Sequence, residues 1–112
     1  MKLDRAYLLD ILESARLALD YLRGVSKEAF SQNTQLQDSV IRRIEIIGEA
    51  ARRVYPDTRE ELAELPWAEM IGMRNMMIHD YDDLDPEIIW DTVQNDLPGL
   101  ITRIAPHVTP KS

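Results

Sequence analysis

Apolar residues Leu8, Leu12, Ala15, Leu19 and Leu22 recur at spacings of four, three, four and three. That rhythm keeps them on one face of a helix, and it predicts a helix over residues 4–23 that Gly24 ends. Ser26 to Ser31 predicts a short extra turn. A second stripe, Leu36, Val40, Ile44, Ile47, Ala51 and Val54, predicts a long helix opened by a capping box of Thr34 with Gln37 and stopped by Pro56. Thr58 with Glu61 reads as another capping box, opening a short helix that Pro66 ends or redirects. Met70, Ile71, Met73, Met77 and Ile78 mark a third main helix over residues 67–81. Asp82-Asp83-Leu84 connects it to a strong start, with Asp85 as N-cap, Pro86 at the first helical position and Glu87 in the first turn. The last stripe is Ile89, Val93, Leu97, Leu100 and Ile104, and Pro98 inside it should kink or split the helix.

Long helices with short connections predict an all-α fold, an antiparallel bundle of four to five helices in a single domain over residues 1–112. Ile11, Ala18 and Val25 lie beside the first stripe. They imply either a dimer interface or a broad buried face within one copy.

Composition narrows the class. The 112 residues hold no cysteine, which removes disulfides, zinc knuckles and thiol nucleophiles together. No apolar run is long enough for a transmembrane helix, and the start Met1-Lys2-Leu3-Asp4-Arg5 lacks the order of a signal peptide. The expectation is a cytoplasmic protein without membrane contact. Net charge is −7 and unevenly spread. Residues 1–56 carry nine bases against eight acids, and residues 57–96 two against twelve. An acidic chain makes a poor general binder of nucleic acid, so RNA would need a local basic strip. Arg42, Arg43, Arg52 and Arg53 are candidates for it, though each could equally be a solvated partner of Glu45 or Glu49.

The chemistry-bearing residues gather in Arg74-Asn75-Met76-Met77-Ile78-His79-Asp80-Tyr81. Asn75 and His79 share a helix face at i,i+4, whereas Arg74 and His79 at i,i+5 lie roughly 140° apart. One copy therefore converges poorly, and a second copy facing it would converge better. Histidine moves protons near neutral pH, and arginine offers a permanent fork for phosphate. Asn75 could orient the imidazole, and Tyr81 carries a hydroxyl. Together these suit attack of a ribose 2′-hydroxyl on its neighbouring phosphodiester, with no metal or cofactor. The plainer alternative is an arginine paired to a nearby acid and a histidine capping a carbonyl. His79-Asp80 lacks a second ligating histidine one turn away, and Asp82, Asp83 and Asp85 lack the glycine and closing glutamate of a calcium loop. His107, between two prolines, is expected to be a surface residue.

The run Arg74-Asn75, three residues, His79-Asp80-Tyr81 resembles the signature of HepT-like HEPN ribonuclease toxins. Ile46-Ile47-Gly48-Glu49-Ala50-Ala51, Trp67 before Ile71-Gly72-Met73, and Ile88-Ile89-Trp90 through Asp96-Leu97-Pro98 resemble other segments of that family. The likeness spans about Leu36 to Leu100. It implies a HEPN-like homodimer in which two motif copies line one cleft, with Arg74 and His79 catalytic and Asn75 supporting. It also implies metal-independent cleavage of RNA, either tRNA or mRNA, and a partner antitoxin of the MntA-type nucleotidyltransferase class. That partner would transfer AMP to Tyr81. The alternative is a non-catalytic HEPN module that binds nucleotide or RNA, or docks a nucleotidyltransferase.

Overall fold

A computed structural model describes residues 2–79 and 84–108. Helix α1 runs Lys2–Tyr21, short α2 Lys27–Ser31, α3 Thr34–Arg53, short α4 Pro56–Glu61 and α5 Trp67–His79. Helix α6, Pro86–Asp91, passes through a π-helical turn, Thr92–Asp96, into α7, Leu97–Val108. Among the described residues there is no strand, and the fold is an all-α bundle, as expected. No helix among them is long and apolar enough to cross a membrane.

Helix α3 is the hub. Its apolar arc, Val40, Ile41, Ile44, Ile47 and Ala51, is buried because α1 packs on one side of it and α5 on the other. Helix α1 is covered a second time by α7. That second cover decides between the two readings of Ile11 and Ala18, which are both fully buried within one copy. A broad internal face accounts for them, and they give no sign of a dimer. Across the bundle's ends, Arg5 donates to the Val108 carbonyl at 2.7 Å, which satisfies an orphan acceptor at the close of α7. The molecule is flat, 42 × 33 × 19 Å.

The caps differ from the sequence reading in instructive ways. Asn33, not Thr34, is the N-cap of α3, its side chain accepting from the Leu36 N–H at 3.0 Å. Both residues can cap, but Gln37 donates to the Phe30 carbonyl and so ties α3 to α2. Helix α4 begins at Pro56, two residues before the expected box, and its N-cap Tyr55 makes no side-chain cap bond. Its cap comes from α1. Asp4, 2% exposed, accepts from the Tyr55 N–H at 3.2 Å and from the Thr58 hydroxyl. Asp85 caps α6 as expected, accepting from the Glu87 N–H at 2.9 Å.

Pro98 interrupts its helix as anticipated, in the form of the π turn just ahead of it. Its nitrogen offers no hydrogen and its ring crowds the carbonyl four residues back, and a wider turn relieves that conflict. The helix reading of residues 67–81 holds to His79. Residues 80–83, including Asp80, Tyr81 and the acidic pair Asp82-Asp83, lie outside the described residues.

Candidate functional site

Helix α5 carries the motif, and its sequence explains how it is held. Trp67-Ala68-Glu69-Met70-Ile71-Gly72-Met73-Arg74-Asn75-Met76-Met77-Ile78-His79 is apolar nearly all round, with few polar breaks. Met70 and Met77 are fully buried against the core, and Trp67, Ile71 and Met73 pack at its margin. The Trp67 indole N–H donates to the Leu62 carbonyl at 3.0 Å, fixing the turn from α4 into α5. Yet among the described residues the main packing partner of α5 is α3. Its outward side leaves Met76 at 38% and Ile78 at 39% exposure.

Arg74 sits at the closest approach of α5 to α3. A β-carbon built on Gly48 would overlap the Arg74 β-carbon and lie 2.9 Å from both the Arg74 γ-carbon and the Met70 carbonyl oxygen. The arginine stem thus rests in a notch that only glycine can leave open. The Arg74 Nε is buried with no hydrogen-bond partner among the described residues, and Nη1 donates to the Asn75 Oδ1 at 3.3 Å. Asn75 is exposed, one helical turn before His79, the last residue of α5. The structure therefore brings Arg74 and Asn75 into contact and puts His79 on the same helix. Tyr81 lies outside the described residues.

The four arginines of α3 fall into two groups about 15 Å apart along the helix axis. Arg42 and Arg43 flank a shallow groove with Tyr21, Gln35 and Ser39. Arg52 and Arg53 occupy the last turn, where a cation is favoured by the helix dipole. The strip is not purely basic. Arg42 Nη1 stands 3.6 Å from Glu45 Oε1, and Glu49 is half-buried on the same helix. Such an exposed pair contributes little to stability, but it lowers the local positive potential.

On the far side of α6, Lys27 binds Glu87 at 2.8 Å and stands 3.6 Å from Asp91, joining α2 to α6. The hydrogen bond to Glu87 is the main reason that the Lys27 pKa is raised. His107 belongs to α7, and its Nε2 lies 3.1 Å from Glu64 Oε1, so this exposed histidine does have an orienting neighbour. Among the described residues no group of three or more His, Cys, Asp or Glu side chains could hold a metal.

Sequence reasoning singled out Arg74 and Asn75 but not what seats them. Gly48 was visible as a glycine in mid-helix, where alanine would be better by about 1 kcal/mol. Such a residue signals a close approach, although its partner is not readable from the pattern.

The sequence profile of the family described as "Ribonuclease HepT-like" matches residues 11–106. The chain is 40% identical over 96 residues to "Putative RNase MJ1380" of Methanocaldococcus jannaschii, covering 86% of this chain and 88% of that protein. It is 36% identical over 104 residues to "Putative RNase TTE0752" of Caldanaerobacter subterraneus subsp. tengcongensis, 93% of each chain. It is 39% identical over 94 residues to "Probable ribonuclease HepT" of Thermococcus cleftensis, 84% of this chain and 86% of that one. No solved structure is a significant match.

Proposed function

The chain belongs to the HepT-like ribonuclease family, and we propose that it is a metal-independent endoribonuclease toxin working as a homodimer. In this reading Arg74 and His79 are catalytic, Asn75 supports them, and a nucleotidyltransferase antitoxin of the MntA type silences the site by placing AMP on Tyr81. The observation that carries the reading is the Arg74 seat. A guanidinium held by its stem beside Asn75, on the helix that ends at His79, suits a phosphate in transit.

The chemistry needs only proton transfer and charge stabilisation. The nucleophile belongs to the RNA, since a ribose 2′-hydroxyl attacks the adjacent phosphorus. His79 removes its proton or protonates the leaving 5′-oxygen, and with two copies in one cleft each histidine can take one role. Arg74 stabilises the added negative charge on the phosphorane oxygens. The products are a 2′,3′-cyclic phosphate and a free 5′-hydroxyl. Asn75 engages the terminal Arg74 nitrogen and keeps the fork oriented.

Two features favour a dimer. A helix that is apolar all round but covered mainly on one side leaves its outer face in want of a partner. The i,i+5 offset of Arg74 and His79 is also resolved when a second motif faces the first. AMP on Tyr81 would add bulk and negative charge beside the groups that receive an RNA phosphate, closing the site by repulsion and by volume. Arg42, Arg43, Arg52 and Arg53 extend the phosphate track beyond the cleft.

A second reading is a non-catalytic module that docks its nucleotidyltransferase. It is favoured by the net charge of −7 and by the Arg42–Glu45 pair on the supposed RNA track. Incubation of the purified protein with total RNA in EDTA separates the two. Cleavage that persists in chelator and disappears in His79→Ala supports the ribonuclease. Binding without cleavage under every condition supports the module. Mass spectrometry after co-expression with the nucleotidyltransferase tests the AMP on Tyr81, and recovery of only unmodified Tyr81 from an inactive complex points to inhibition by docking.

A further inference from the structure

We propose that Gly48 is a positioning residue for Arg74, a role resting on the reading that Arg74 serves the chemistry. Gly48 stands in the interior of the twenty-residue α3, beside Ala50 and Ala51. Glycine there is a poorer helix former than alanine. Its usual justification, a left-handed backbone, does not apply, because the only positive-φ residue among those described is Gly24. What Gly48 supplies is room. An added methyl would overlap the Arg74 β-carbon and press on the Met70 carbonyl oxygen, a backbone atom that cannot turn aside. Helix α5 has α3 as its main support, so moving the two apart moves Arg74 with the whole helix.

The notch does more than admit the stem. Holding the Arg74 β- and γ-carbons against α3 buries Nε and leaves the terminal nitrogens as the part that can meet an anion. A free arginine side chain loses rotamer entropy when its fork is ordered. Fixing the stem beforehand removes part of that cost from the chemical step, where charge develops on the phosphate. Gly48 thus acts on the reaction through Arg74 without meeting the substrate.

The test uses the full-length protein and a short fluorescent RNA that the parent cleaves. Gly48→Ala is compared with a core variant matched in Tm, chosen from Ile104→Val and Ile104→Ala, since Ile104 lies on α7, whose packing partners are α1 and the π turn. Because a displacement of around 1 Å at a catalytic group costs about 10²-fold, Gly48→Ala with unchanged helical content should lose about that factor in kcat. KM should stay within about threefold, as for an interaction realised in the transition state. The Ile104 variant should keep its kcat well below its Tm. A folded Gly48→Ala with parental kcat overturns the proposal, and so does an equal loss in both variants.

If Gly48→Ala does not fold, the unaltered protein still decides. In an NMR exchange measurement the Arg74 Nε–H should exchange with water about tenfold or more slowly than that of exposed Arg42, because buried groups need an opening event first. Equal rates overturn the notch. Arg74→Ala separates the two levels of argument. If it cleaves like the parent, the catalytic reading falls and the exchange rate alone judges the seat. If it is dead while folded Gly48→Ala is active, only the positioning role falls.

Discussion

The two faces of α3 meet their neighbours in opposite styles. Against α1 it presents a dense aliphatic contact, and α1 is itself backed by α7, so Ile11, Leu12, Ala15 and Ala18 are enclosed on every side. Against α5 it presents a notch that meets two buried methionines of α5, Met70 and Met77, with little behind them. Unbranched, flexible methionine fills irregular gaps, where a close-packed aliphatic core would demand fixed shapes. The first contact builds the domain. The second carries the motif on a helix that is half finished in one copy, with Met76 and Ile78 still facing out. If the proposed site is right, stability and chemistry are assigned to opposite sides of one helix, and a functional face can stay open without loosening the core.

Truncation on each face should break this comparison first if it is wrong. Ile11→Ala should cost about 4 kcal/mol and Met77→Ala about 2 kcal/mol, because the cost of a cavity grows when the surroundings cannot collapse into it. Urea denaturation of both variants measures the difference. Equal losses would mean that α5 is as firmly enclosed as α1.

Next in size is the α1 link to α4. Asp4→Ala removes the acceptor of the Tyr55 N–H and the Thr58 hydroxyl, and stranding such donors costs about 1–3 kcal/mol. The Tm should fall while cleavage measured well below it should not. A selective loss of activity would show that the α4 turn also tunes α5.

The smallest effect belongs to Lys27. Its pair with Glu87 is exposed, so Lys27→Ala should move the Tm by roughly a degree or less. The folded-state pKa of this lysine is raised by Glu87. Its contribution is therefore present below the ordinary lysine range and is lost as pH rises through the raised value. A Tm difference between parent and Lys27→Ala that vanishes only in strong alkali, and shrinks in high salt, would match this.

Much of this was legible in the sequence, for local reasons. The 3.6-residue rhythm of Leu8 to Leu22 and of Leu36 to Val54 marked two long helices, because burial on one face repeats along the chain. Asp85-Pro86-Glu87 gave a correct start because a cap and its target sit within one turn. The box at Thr58 misled for the opposite reason. Its hydroxyl is claimed by Asp4 from another helix, and such partners leave no trace in spacing. The same holds for Gly48 and Arg74. The motif named the arginine, but only the crossing of two helices shows what seats it. Ile11 and Ala18 hinted at either a dimer or a broad internal face, and the cover of α7 decides for the second. The apolar run Met70 to Ile78 does not tell which side of α5 stays open.

The π turn between α6 and α7 has one more consequence, for phase. Ile89, Val93, Leu97, Leu100, Ile104 and Val108 are all buried, at steps of four, four, three, four and four. On an ideal helix at about 100° per residue, that sequence of steps would drift by about 100° from first to last. The wide turn at Thr92–Asp96 absorbs one residue and brings the stripe back into line. Thr92–Asp96 works as a vernier between two helices that must share a face, and its length is as constrained as any core side chain.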